Sequence, residues 1–135
     1  MNKNIKKIKY EILFDGRLKR KILTFSAYLK RKRRSKESNA LFGVLRNKIL
    51  KLGNVEERPN EGYIAYLYNN LIFCSIWFRR GKKTIRINIE NIKNLNDLRG
   101  WAIVVPPEVA DKSYYFDISK KEDIPYAISL IMQAY

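Results

Sequence analysis

The run YIAYLYNNLIFCSIWFRRGKKTIRINIE, residues 63–90, decides the fold. It contains three stretches rich in β-branched and aromatic residues: YIAYLY (63–68), LIFCSIWF (71–78) and KTIRINIE (83–90). Asn69-Asn70 separates the first two, and Arg80-Gly81-Lys82 stands before the third. Connections this short between strand-like runs predict an antiparallel meander. In the third run Ile85, Ile87 and Ile89 fall on one parity, and Thr84, Arg86 and Asn88 on the other. That two-residue period predicts a sheet with one buried face and one wet face.

Helical spacing flanks the meander on both sides. Upstream, Leu41, Leu45, Ile49 and Leu52 recur on one stripe with Val44 beside them. Ser35 or Ser38 is placed to cap this helix, and Gly53 stands where a left-handed residue ends one. Downstream, Ile124, Ala127, Ile128, Ile131 and Ala134 repeat in the same way. Ser119 with Glu122 has the spacing of a capping box, but Pro125 then lies past the first turn, whereas a cap at Asp123 puts the proline early, where no backbone bond is lost. The spacing leaves both starts open. YYFDIS (114–119) reads as a last strand, residues 91–100 as a polar connector, and WAIVVPP (101–107) as an apolar run ended by its prolines. The fold class expected is α+β: two layers, a mostly antiparallel sheet with two main helices on one face.

The charge is unevenly distributed along the chain. Residues 1–34 hold 13 Lys and Arg against Glu11 and Asp15, a net +11, which leaves +4 of the chain's +15 for residues 35–135. In IKYEILF (8–14) Ile8, Tyr10, Ile12 and Phe14 share one parity, Asp15-Gly16 follows as a turn, and RLKRKILTF (17–25) leans towards a second strand. Residues 1–34 are therefore expected to be a basic, β-hairpin-like extension of the same folding unit, and residues 35–135 the α+β domain proper.

Composition excludes several classes of function. With one cysteine, Cys74, and no histidine, the usual zinc ligand sets and histidine acid–base catalysis are unavailable. No apolar run nears the roughly 20 residues of a membrane span, and no apolar signal segment follows the basic start. The expected location is cytoplasmic. Two-metal nucleases need paired carboxylates with an acid two positions before a lysine. No Asp or Glu here has a lysine there; the nearest cases, Asp15, Glu56 and Asp97, are followed by Arg17, Arg58 and Arg99, and arginine is too basic to accept a proton. The six glycines form no phosphate loop. Cys74 sits in an apolar run and reads as a buried thiol, and Glu56, Glu57 and Glu61 read as solvent-facing carboxylates. No catalytic residue, metal or cofactor is expected.

LFGVLRNKILKLGNVEERPNEGYIAYLYNNLIFCSIWFRRGKKTIRINI (41–89), LNDLRGW (95–101) and YYFDISKKEDIPYAISLIMQAY (114–135) together resemble an uncharacterised domain once labelled a predicted transport protein. The resemblance covers about residues 36–135. That domain often stands at the C-terminal end of restriction and other DNA-targeting defence proteins. The resemblance implies an α+β domain and a nucleic-acid or defence setting. Members of the family commonly carry a His-Trp-Gly-type loop before the last strand, where this chain has VVPPEVADKS (104–113). Any role of that loop is not carried over.

The binding expectation rests on three basic groups. They are Lys30, Arg31, Lys32, Arg33 and Arg34 with Lys36; Lys19, Arg20 and Lys21; and the turn residues Arg79, Arg80, Lys82 and Lys83 with Arg86. Cations that neutralise phosphates release counterions and bind without sequence preference. Tyr66, Tyr68, Trp77 and Phe78 are candidates for base stacking, though the parities of their runs send some into the core. The expected role is a non-catalytic nucleic-acid-binding module for DNA or RNA. The alternatives are a homodimer or protein-interaction module with an acidic partner, and a binder of small anions cradled by Arg79, Arg80 and Arg86.

Overall fold

The computed structural model describes residues 11–12, 18–19, 35–79 and 81–135 of the chain. Of the basic extension, only one backbone pairing lies within this set: β1 (Glu11–Ile12) runs antiparallel to β2 (Leu18–Lys19), with Glu11 opposite Lys19. The rest of the expected hairpin lies outside the described residues. The remaining elements are α1 (Lys36–Leu50), β3 (Glu56–Asn60), β4 (Tyr63–Tyr68), β5 (Leu71–Phe78), β6 (Ile85–Ile89), β7 (Ile103–Val104), β8 (Tyr114–Ile118) and α2 (Ile124–Ala134). Six strands form one antiparallel sheet in the order β3-β4-β5-β6-β8-β7, so β8 inserts between β6 and its own predecessor.

The meander β4-β5-β6 forms for the reasons its sequence suggests. Asn69 and Asn70 both have positive φ, 52° and 67°, the signature of the mirror-image hairpin turn whose twist suits the flanking strands. One irregularity matters. The register shifts between Tyr66 and Leu67: Leu67 pairs with Ile72 but Tyr66 with Cys74, leaving Phe73 as an extra residue. A bulge of this kind lets neighbours share a face, and Phe73 and Cys74 both belong to the buried core.

The core lies on one side of the sheet. Ile85, Ile87 and Ile89 are fully buried there with Ile64, Ile76, Phe116 and Ile118, beneath Leu41, Phe42, Leu45 and Ile49 of α1 and Ile124, Ala127, Leu130 and Ile131 of α2. Burying one such aliphatic side chain contributes about 1.5–3 kcal/mol. Ser35 caps α1: its Oγ accepts the Ser38 N–H at 3.0 Å. At the start of α2 the Asp123 carboxylate accepts the Ser119 and Lys120 N–H groups. Pro125 is the second residue of α2 and costs no bond. The Tyr135 hydroxyl donates to the carbonyls of Leu52 and Gly53, tying the end of α2 to the loop after α1.

Strand β3, EERPN, is absent from the sequence reading, because Glu, Pro and Asn disfavour strands. It forms at the sheet edge, where proline needs no ladder partner on its outer side. Glu57 of this strand is buried, contrary to the expectation of a solvent-facing carboxylate. Arg46 of α1 grips it two-fold, Nε to Oε2 at 2.6 Å and Nη2 to Oε1 at 2.8 Å, and the buried Tyr66 hydroxyl donates to Oε2 at 2.8 Å. Three elements meet at this one carboxylate. Burial, and then the Glu57 charge, push the Tyr66 phenol well up, so it stays a neutral donor.

Removing one partner of a buried ion pair leaves the other uncompensated. Arg46→Met is expected to lower stability by about 3 kcal/mol in urea unfolding, and Arg46→Met with Glu57→Gln to recover part of that loss. An additive double variant would show that the two groups do not act as a pair.

Candidate nucleic-acid interface

The face of the sheet turned away from the helices is built from the opposite parity. Across β3, β4, β5, β6 and β8 the pairings align Asn60, Tyr63, Trp77, Arg86 and Asp117 in one row. Arg58, Ala65, Ser75, Asn88 and Tyr115 form the next row, continued by Ile103 of β7. At about 4.8 Å between strands, five strands span roughly 19 Å.

Aromatic and basic groups on this face are fixed by specific contacts. The rings of Tyr63 and Trp77 stack at 4.3 Å with planes 14° apart. The Trp77 indole N–H donates to Ser75 Oγ at 2.9 Å, and Trp77 remains 37% exposed. The Arg86 guanidinium lies over the Tyr115 ring at 4.4 Å and donates to the Asp117 carboxylate, Nε to Oδ1 at 2.8 Å. Arg79 donates to the same carboxylate at 2.8 Å. Arg58 pairs with Glu56 at 2.7 Å.

Several residues proposed from sequence come together, and others do not. Arg79 and Arg86 converge on Asp117, so the anion between them is one of the chain's own side chains. Lys82 and Lys83 are exposed on the β5–β6 turn, where Gly81 takes a φ of 71°. Lys83 Nζ lies 3.9 Å from Glu37, which sets this turn beside the first turn of α1, where Lys36 is exposed. The backbone of Lys19 belongs to β2. Arg20, Lys21, Lys30, Arg31, Lys32, Arg33, Arg34 and Arg80 lie outside the described residues.

Of the four stacking candidates, only Trp77 reaches the open face. Tyr66 is buried against Glu57, Tyr68 packs on Tyr135 with ring centroids 4.7 Å apart, and Phe78 meets Phe42 edge-on at 5.1 Å. Tyr63 and Tyr115 are the aromatic residues of this face that the sequence reading passes over. Their strand parity was the available signal. Cys74 is fully buried and burial pushes its thiol well up, as for a structural thiol. Among the described residues, no group of three or more His, Cys, Asp or Glu is placed to hold a metal ion. No helix among them is long and apolar enough to cross a membrane.

The connector LNDLRGW is a packed knot against α2. The Gln133 amide exchanges two hydrogen bonds with the Asn96 backbone, both at 2.8 Å. Asp97 accepts from the Tyr126 hydroxyl and from the Ala102 N–H, and Trp101 meets the Tyr126 ring edge-on at 4.6 Å. Its acid and aromatic groups are satisfied internally and serve the fold.

Comparison with protein-family models, curated protein sequences and solved structures finds no match to this chain.

Partial burial works against the charged form of Asp117, but the hydrogen bonds and charges of Arg86 and then Arg79 outweigh it and hold its pKa below the ordinary carboxylate value. A lowered folded-state pKa contributes stability that is present in full above the unfolded value of about 3.9 and is lost as pH falls through the folded one. Asp117→Asn is accordingly expected to melt below the parent at pH 7, and the gap to narrow at pH 3. A gap independent of pH would show that the carboxylate charge contributes nothing.

Proposed function

We propose that the chain is a non-catalytic nucleic-acid-binding module that contacts phosphates with little sequence preference. The observation that carries this reading is the concentration of cationic charge, +11 within 34 residues, leading into a domain whose exposed Lys36, Lys82 and Lys83 cluster where α1 begins. A field of that sign concentrates polyanions at the surface. The resemblance to a domain found in DNA-targeting defence proteins supports a restriction, phage-defence or nuclease setting. A small-anion cradle at Arg79 and Arg86 has less support, because Asp117 already occupies it.

The test is a salt titration of binding to DNA, RNA and polyglutamate after nuclease-treated purification. A footprint of 6–10 phosphates loses about 10³–10⁵ in affinity between 50 and 200 mM salt. Replacing Lys30, Arg31, Lys32, Arg33 and Arg34 by glutamine is expected to flatten the log–log slope by up to about 4. Salt-independent binding, or polyglutamate bound as tightly as DNA, would overturn the reading.

A second reading has its own observation. Strand β7 ends the sheet with Ile103 and Val104 exposed, and Leu98 and Val109 nearby in sequence are exposed too. Among the described residues β7 has no partner on its outer side, and an apolar edge of this kind is a template for a second strand. Self-association through it predicts a concentration-dependent doubling of mass with nucleic acid absent, measured by light scattering, and Val104→Lys is expected to abolish it.

A further inference from the structure

We infer that the open face of the sheet is a stacking platform for single-stranded nucleic acid, centred on the Tyr63–Trp77 pair and extended by Arg86 and Tyr115. This deepens the nucleic-acid reading and rests on it. The pair is already ordered: each ring fixes the other at 4.3 Å, and Ser75 holds the indole through its N–H. Little rotamer freedom remains to be lost when a third ring joins the stack. Because Ser75 takes the one indole donor, Trp77 offers a base its π-surface and no directional hydrogen bond. Recognition by π-surface tolerates any base, which accords with binding that reads no sequence.

Arg86 adds a second element of the same kind. Its guanidinium lies over the Tyr115 ring and is held there by Asp117, next to Trp77 in the row, where a planar cation extends the stacking surface. Charge decides the occupant. A purely apolar face would fit a protein surface equally well, whereas this one interleaves its rings with Arg58, Arg79 and Arg86, each paired with Glu56 or Asp117, in a chain whose net +15 supplies the attraction for a polyanion. Strandedness follows from geometry. A duplex hides its π-faces within its own stack and presents phosphates, while a single strand can lay its bases on the rings.

The platform and the basic groups act on different observables. Phosphate contacts set the salt slope; stacking adds affinity without changing it. With labelled oligothymidine, oligouridine and a duplex of equal length, Trp77→Ala is expected to weaken single-strand binding about ten-fold, one stacked base. Duplex affinity and both salt slopes are expected to stay as in the parent, and Trp77→Phe to restore most of the loss. The oligothymidine and oligouridine arms distinguish DNA from RNA. Independently of any variant, 2-aminopurine within an oligothymidine is expected to lose fluorescence on binding the parent chain, as a base stacked on indole does. Equal losses on single strand and duplex, no loss at all, or undiminished 2-aminopurine emission would overturn the platform while leaving the phosphate-binding reading intact. A parent chain that binds no nucleic acid at low salt would overturn both.

Discussion

A strand of alternating isoleucines can bury only one of its faces, and the domain is organised around that constraint. Ile85, Ile87 and Ile89 align with Phe78, Ile76 and Cys74 on one side and with Ile118, Phe116 and Tyr114 on the other. Both helices close over this surface. A register slip of one residue would turn Arg86 and Asn88 into the core and the isoleucines out, at a cost of several kcal/mol. The parity that seals the core therefore also fixes Trp77, Arg86 and Tyr115 on the opposite side. The composition of the open face is a consequence of the core's.

Carboxylates then divide the arginines by task. Glu57, buried and shared by Arg46 and Tyr66, joins α1 to the edge strand and to β4. A lone buried carboxylate there would be very costly, so Arg46 of α1 compensates the charge that the edge strand buries. Asp117 works at the surface, where the same chemistry contributes less to stability, and its effect is geometric: it holds two guanidiniums in fixed positions. The lysines at the β5–β6 turn and the α1 start carry no such two-fold grip. They remain exposed.

The meander, both helices and the one-sided burial were legible because periodicity reports burial directly, as in the 85–89 run. The edge strand EERPN was not, since its residues avoid strands and only an edge position next to Arg46 makes them acceptable. The Tyr63–Trp77 pair was hidden for a subtler reason. Counting back from the Asn69-Asn70 turn without interruption sets Tyr63 opposite Ile76, and the single extra residue at Phe73 moves its partner to Trp77. A bulge leaves no mark in periodicity when both of its neighbours are apolar, as Phe73 and Cys74 are. Tyr68 and Phe78, by contrast, follow their parity into the core.

The same geometry limits what each part of the surface can do. Arg58, Arg79 and Arg86 on the open face are opposed by Glu56 and Asp117, a net of +1, too little to gather a polyanion from solution. The extension, at +11, has the reverse character: a strong field with Tyr10, Phe14, Phe25 and Tyr28 as its aromatic residues. Long-range attraction falls away within a Debye length of about 8 Å at physiological salt, whereas stacking acts at contact and is barely screened. On the proposed reading, capture belongs to the extension and the turn lysines, and retention to the ordered rings. A chain that divides the work in this way keeps part of its affinity at salt concentrations where phosphate contacts alone have failed, and loses its preference for single strands when the rings are removed. Charge brings the polymer to the surface, and the parity of one isoleucine strand determines what it finds there.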